Sequence, residues 1–273
     1  MTYPYYFIEG IPGSGKSTLA AALSRNLPDY RQYREGDISP VELAWCSYMT
    51  QDDYADVLRR FPALEPEIRA HSVAEDANVI TAYTQIHTKD ASFYDQMSQF
   101  EIYAGRRDVN SFREIVLRRF TTFFAAERTA RHGSIFECSL FQNIVEELIL
   151  FAEYEDAQIL AFYQELFACM DQETVCLIRL RPADIAENIR HIKQERVNEQ
   201  GEEIWYRMML EYLCNSPYGR HHGFSSFEDL LSHLSRRIRI EDKIIAQLFR
   251  GRCLDLPSKA FSPEELAASI LEN

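Results

Sequence analysis

Apolar residues fall in short unbroken runs separated by longer stretches with helical spacing, and that alternation sets the reading of the chain. Tyr3–Glu9 (YPYYFIE) is aromatic and apolar and runs straight into a glycine-rich turn, the pattern of a buried strand entering a loop. Ser134–Cys138 (SIFEC) and Thr174–Leu180 (TVCLIRL) read as two further strands, and shorter ones fit Tyr30–Arg34 and Arg252–Leu256. Helical spacing covers Ser17–Leu27, Ile144–Met170, a segment from Pro182 toward Gln200, about Glu202–Cys214, and Phe227–Phe249. Asn215–Ser226, with Pro217, Gly219 and Gly223, reads as a loop. From Val41 to about Arg131 the pattern is mainly helical, with breaks at Pro62 and Pro66 and again at Gly105.

Strands separated by helices imply an α/β fold, a parallel sheet with helices on both faces. The expected organisation is a single domain over 1–273 carrying a helical insertion at about 41–131. A hydrophobic fraction of 46% is enough for a buried core. With 29 Lys+Arg against 42 Asp+Glu the net charge is −13, which argues against a partner such as polymeric nucleic acid but leaves a small anionic ligand open. Six cysteines without a C-x-x-C pair fit core thiols better than a metal site. The His221-His222 pair lacks a third ligand at metal spacing. No run of about 18 apolar residues suggests a membrane span, and no basic-then-apolar leader opens the chain, so a cytoplasmic protein is expected.

One motif changes the picture. Gly10-Ile11-Pro12-Gly13-Ser14-Gly15-Lys16-Ser17 fits G-x-x-x-x-G-K-[ST] at every fixed position, Thr18 follows, and an expected strand and helix flank it. Such a loop turns successive backbone N–H groups onto a polyphosphate, and the start of the following helix adds its positive end. Lys16 then bridges the β- and γ-phosphates of ATP, and the Ser17 hydroxyl is a ligand for Mg²⁺. The fold class is accordingly that of a P-loop NTPase.

Phosphoryl transfer also needs a second metal-holding group, a base or orienter for the acceptor, and cations for the transferring charge. Glu137, at the carboxyl end of the second confident strand, is placed to hold Mg²⁺ directly or through water. Arg34, Glu35 and Asp37 follow the short second strand, and a carboxylate there takes the acceptor proton, Asp37 or Glu35. Arg190, Lys193 and Arg196 recur at i, i+3 and i+6 after the third strand, a cationic cluster suited to closing on the polyphosphate.

These residues resemble a family. Phe7-Ile8-Glu9-Gly10 running into Gly13-Ser14-Gly15-Lys16-Ser17-Thr18 is similar to the opening of thymidylate kinases and deoxyribonucleoside kinases. Tyr33-Arg34-Glu35-Gly36-Asp37, Pro40-Val41 and Trp45 resemble their substrate segment, and Phe100-Glu101-Ile102-Tyr103-Ala104 resembles the segment whose Gln reads the base. Ile135-Phe136-Glu137-Cys138-Ser139 sits where they have E-R-S or D-R-[YS], and Pro182 with Arg190, Lys193 and Arg196 resembles their lid, here about 182–200. Glu101 stands at the base-reading Gln, Cys138 at an Arg, and Ser39-Pro40 at an acidic-Pro pair. The resemblance implies an ATP- and Mg²⁺-dependent kinase of a nucleoside- or nucleotide-like acceptor, with Arg34, Trp45, Glu101 and Arg106 on the acceptor side. Arg106 either supplies the missing positive charge or is a surface residue. A homodimer is compatible with this reading. Two other readings stay open, a kinase of another metabolite or antibiotic and an ATP-gated switch.

Overall fold

The computed structural model describes residues 2–126, 132–260 and 262–272. The chain runs through β1 (Tyr5–Gly10), α1 (Lys16–Asn26) and β2 (Arg31–Tyr33), then β3 (Ser47–Thr50), α2 (Gln51–Arg60), α3 (Glu65–Ala70), β4 (Ser72–Glu75) and β5 (Asn78–Thr81). α4 (Ala91–Ser98) and α5 (Val109–Ala126) follow, then β6 (Ser134–Glu137), α6 (Gln142–Glu146) and α7 (Asp156–Ala168). After β7 (Val175–Arg181) come α8 (Ile185–Glu195), α9 (Ile204–Asn215), α10 (Pro217–His222) and α11 (Phe227–Leu248), and the chain closes on β8 (Arg252–Pro257) and α12 (Pro263–Glu272). These elements form two compact units, Met1–Gln32 with Phe124–Asn273, and Tyr33–Phe123.

The first unit is built on a five-stranded parallel sheet of order β2-β6-β1-β7-β8. Every residue of β1 is buried, as the flanking positions of a central strand require. Ile8 pairs with Glu137 on β6 and Gly10 with Leu180 on β7, so three strands reach their carboxyl ends at the same level. That level is where a parallel sheet of this kind presents its ligand site. One sheet face, with Tyr6, Ile8, Ile135, Cys176 and Ile178, packs on Leu19, Ala20 and Leu23 of α1 and on Ala267 and Ile270 of α12. Each large apolar side chain buried there contributes about 1.5–3 kcal/mol. Phe7 and Phe136 stack on the other face with ring centroids 4.7 Å apart. The α/β fold expected from the strand pattern, a parallel sheet flanked by helices, is present, with the strand–loop–helix unit at β1 and α1.

Several local expectations need correction. The segment expected to be mainly helical does carry α2–α5, and it also holds a three-stranded antiparallel sheet of order β3-β5-β4. Its strands are four residues each, too short for a period-2 signal to stand out from the flanking helical pattern. β4 and β5 join through a tight turn in which Asp76 takes φ 53°. The expected end of that insertion near Arg131 lies outside the described residues. The helix expected over Ile144–Met170 is interrupted: α6 passes into a π-helical turn at Glu147–Phe151, and Glu155 opens α7 with a capping box to Gln158. α8 stops at Glu195, short of Gln200, and the loop expected at Asn215–Ser226 contains α10. α12 was not anticipated.

The second unit has its own core, with Met49, Val57, Phe61, Ile68, Ile86, Phe93 and Met97 among its buried side chains. Arg119, almost fully buried on α5, bonds the Glu75 carboxylate and the Ser39 carbonyl. Among the described residues no helix is long and apolar enough to cross a membrane.

Candidate active site

β1 ends at Gly10, and the loop Ile11–Gly15 carries the chain to the first turn of α1. Gly13 has φ 75°, and a Cβ there would overlap the side chain of Ile192 on α8, so only glycine fits. Gly15 (φ 96°) is the N-cap of α1, where no side chain caps the helix and no acidic residue lies in the first turn. The helix start therefore keeps its N–H groups and its positive end for an anion. The Ser14 hydroxyl is buried with no hydrogen-bond partner among the described residues. A glycine cradle, an uncapped helix start and an unsatisfied buried donor together fit a polyphosphate.

Lys16 lies folded against the loop, its Nζ donating to the carbonyls of Gly10 (3.0 Å) and Ile11 (3.1 Å). The Ser17 hydroxyl donates to the Glu137 carboxylate. Two residues 120 positions apart thus set oxygens side by side at the end of the sheet, the hard donors that Mg²⁺ selects. Pro12 offers its carbonyl to the Asn188 side-chain amide of α8 at 2.8 Å. The loop after β8 reaches the site too: Ser258 donates its hydroxyl to the Ser14 carbonyl at 2.8 Å. Thr18, next to Ser17, sits in the first turn of α1.

Arg190 and Lys193 of α8 do not lie on the face that meets the loop, and Arg196 lies just past the end of the helix. Asn188 and Ile192, at i and i+4, take that face. Arg190 sits over the Phe227 ring at 5.6 Å, Lys193 over Tyr206 at 3.9 Å, and Arg196 over Trp205 at 5.0 Å. Lys193 also pairs with Glu203 at 3.2 Å. In this arrangement the three cations are held by the rings that follow α8 in the chain.

Behind the loop lies a buried charged cluster that sequence reasoning missed. Arg237 of α11, 1% exposed, donates to the Gly10 carbonyl at 3.2 Å and to Glu241 at 2.8 Å, and approaches Glu146 at 3.3 Å. Glu146 also meets His233 Nε2 at 2.6 Å. Burial alone would raise the Glu146 carboxyl, but His233 and Arg237 together hold it below its ordinary value. Glu9, fully buried, accepts the N–H of Leu140 at 2.6 Å and of Gln142 at 3.1 Å. Burial, with the Glu241 charge beside it, pushes its carboxyl up to about 7, against the pull of the Leu140 and Phe141 N–H groups and of Arg237. In the sequence Arg236, Arg237 and Arg239 before Glu241 and Asp242 read as a helix face of paired charges; the Arg237–Glu241 pair is present at 2.8 Å, but the burial of that pair has no signature of its own.

The acceptor residues expected from sequence belong to the second unit. Asp37 accepts the Arg34 N–H at 2.7 Å and the Gln85 amide at 2.7 Å. Glu35 accepts the Trp45 indole N–H at 3.2 Å. Trp45 takes φ 62°, a conformation costly for a bulky residue, and is 47% exposed. Glu101 is buried and receives the Tyr83 hydroxyl; burial raises its carboxyl, opposed by Tyr83 and by the Arg106 charge. Arg106 itself donates to the Gln99 side chain at 3.0 Å.

No protein-family model matches this chain, and no curated protein sequence does. Among solved structures, a sugar kinase from Janibacter sp. HTCC2649 is similar at 13% identity with a TM-score of 0.37, covering 99% of this chain and 94% of its own. A shikimate kinase from Acinetobacter baumannii, solved with shikimate, is similar at 12% identity and TM-score 0.37, covering 99% and 92%. The fold assignment rests on the strand order and on the strand–loop–helix unit of the chain itself.

Proposed function

We propose that this protein is an ATP-dependent kinase that moves the γ-phosphoryl group to a small-molecule acceptor, nucleoside- or nucleotide-like in character. The observation that carries the reading is the meeting of Lys16, the uncapped start of α1 and the Ser17–Glu137 oxygens at the carboxyl end of one parallel sheet. ATP with Mg²⁺ supplies a phosphoryl group activated for in-line displacement and a cation that shields its charge. Gly10, Pro12, Gly13, Ser14, Gly15 and Thr18 shape the cradle, Lys16 neutralises phosphate charge, and Ser17 with Glu137 holds the metal. Arg190, Lys193 and Arg196 leave their rings to offset the charge that develops on transfer.

On the acceptor side, Asp37 or Glu35 takes the proton of the attacking hydroxyl, while Arg34, Trp45, Glu101 and Arg106 bind the acceptor. The order in which Arg34, Trp45 and Glu101 fall along the chain, similar to that of nucleoside and nucleotide kinases, supports such an acceptor. A second reading keeps the chemistry and changes the acceptor to a sugar, an antibiotic or another metabolite. Glu101 is already engaged by Tyr83, which favours it.

The test is a mass-spectrometric search for phosphorylated products. The protein receives ATP and Mg²⁺ with pooled nucleosides, nucleoside monophosphates and common metabolites, beside a Lys16→Ala control. A Lys16-dependent phosphoryl gain on a nucleoside or nucleotide is the expected result. A product from the metabolite pool selects the second reading. Tight ATP binding with no product from any pool defeats phosphoryl transfer to these acceptors and leaves an ATP-gated switch.

A further inference from the structure

The Gly10 carbonyl is shared. It accepts Lys16 Nζ from the loop side at 3.0 Å and Arg237 Nη2 from α11 at 3.2 Å. Two donors saturate the two lone pairs of a carbonyl. For Lys16 to reach a polyphosphate, its ammonium must leave this oxygen, and a buried carbonyl that loses its only partner carries the full cost of desolvation. Arg237 is fixed independently of the ligand: its Nε bonds Glu241 at 2.8 Å and its Nη1 approaches Glu146 at 3.3 Å, with His233 against the other Glu146 oxygen. On the other side of the same backbone turn, Glu9 grips the N–H groups of Leu140 and Gln142. The start of the loop is therefore braced by groups that have no need to move when Lys16 does.

We propose that Arg237 is a positioning residue for Lys16, keeping the Gly10 carbonyl satisfied when the ammonium exchanges that oxygen for phosphate. Arg237 does not touch the ligand; it lowers the cost of recruiting the residue that does. The inference rests on the loop being an ATP site, as the proposed kinase requires. It makes a prediction that simple bracing does not: the effect of Arg237 on ATP affinity depends on Lys16 being present.

Arg237→Lys preserves the positive charge among the buried carboxylates but cannot span Glu241, Glu146 and Gly10 at once. ATP·Mg²⁺ binding is measured by titration calorimetry, up to millimolar ligand, on the wild type, Arg237→Lys, Lys16→Ala and the double variant. Arg237→Lys is expected to lose affinity roughly tenfold, the size of one hydrogen bond involving a charged group. In the Lys16→Ala background that loss shrinks to about twofold or less, a coupling between the two sites. In turnover, the KM for ATP rises while the KM for the acceptor is unchanged. If Arg237→Lys fails to fold by circular dichroism, Arg237→Gln combined with Glu241→Gln keeps the local charge sum and carries the same expectation. Equal losses in both Lys16 backgrounds, or no loss at all, overturn the proposal while leaving the kinase reading intact. Coupling with no phosphorylated product from any acceptor defeats the kinase reading alone. A wild type that binds no ATP overturns both.

Discussion

The glycine-rich loop and the helix that rests on it hold their cations by opposite means. Lys16 and Arg237 are buried, bonded to backbone carbonyls, and Arg237 is closed in by the carboxylates of Glu241 and Glu146. Arg190 on α8 and Arg196 just past its end are exposed and sit on aromatic rings, with Lys193 half-buried between Glu203 and Tyr206. Breaking a buried pair strands a charge and costs about 3–5 kcal/mol, whereas an exposed cation–π contact gives about 0.5–1 kcal/mol. The loop is therefore set in shape before any ligand arrives, while the α8 cations can leave their rings at small cost. The difference separates a preorganised cradle from a cluster available for recruitment.

The comparison breaks first at Lys16. Lys16→Ala is expected to lower turnover on the order of a thousandfold, as loss of a charge-stabilising donor does, with little change in melting temperature. A variant that keeps near wild-type turnover would show that the loop does not hold the reacting phosphates.

Glu9 tests the buried half through pH. Its carboxyl stands at about 7 in the fold against 4.5 as the ordinary value, so the neutral acid is the form the fold prefers. Its stabilisation is complete below about pH 4.5 and is lost as pH rises through about 7, a swing of up to about 3 kcal/mol. Denaturant melts from pH 4.5 to 8 should show the wild type losing stability relative to Glu9→Gln across that window. Parallel curves would mean that the Leu140 and Gln142 N–H groups keep the carboxylate ionised after all.

Gly13→Ala combines a strained φ of 75° with overlap onto Ile192. A loss of about 1–3 kcal/mol is expected, together with weakened ATP binding, because α8 must move off the loop. Calorimetric melting and ATP titration read the two parts separately. The smallest effect belongs to the rings. Tyr206→Leu should change stability by no more than about 1 kcal/mol, and the Trp205 emission of the wild type should shift with ATP as Arg196 leaves its ring. A large destabilisation, or an emission that ignores saturating ATP, would make the aromatic contacts structural and the α8 cations fixtures.

Much of this was legible from residue order because it is local. The loop Gly10–Ser17 is bound to its glycines by φ angles and close approaches that no other residue tolerates, and the apolar runs of β1, β6 and β7 announce strands buried on both faces. The short strands β3–β5 were hidden because four residues carry too little periodicity against helical neighbours, and the pairing that stabilises them is a contact between segments. Helical spacing expected Arg190, Lys193 and Arg196 to cluster, but α8 ends before Arg196, and which face of α8 meets the loop depends on Asn188 and Ile192 finding Pro12 and Gly13.

What the sequence determined by itself was the strand–loop–helix unit and the alternation that builds a parallel sheet around it. Each of these is encoded in residues within a few positions of one another, where backbone geometry and side-chain period act directly. Ser17 and Glu137 were expected at one metal and meet across 120 positions, but that Arg237 meets Gly10 across 227 was decided by tertiary structure alone. Contacts at that separation leave no periodic trace, because they are selected by how the folded surfaces pack and by the cost of leaving a buried charge or carbonyl without a partner.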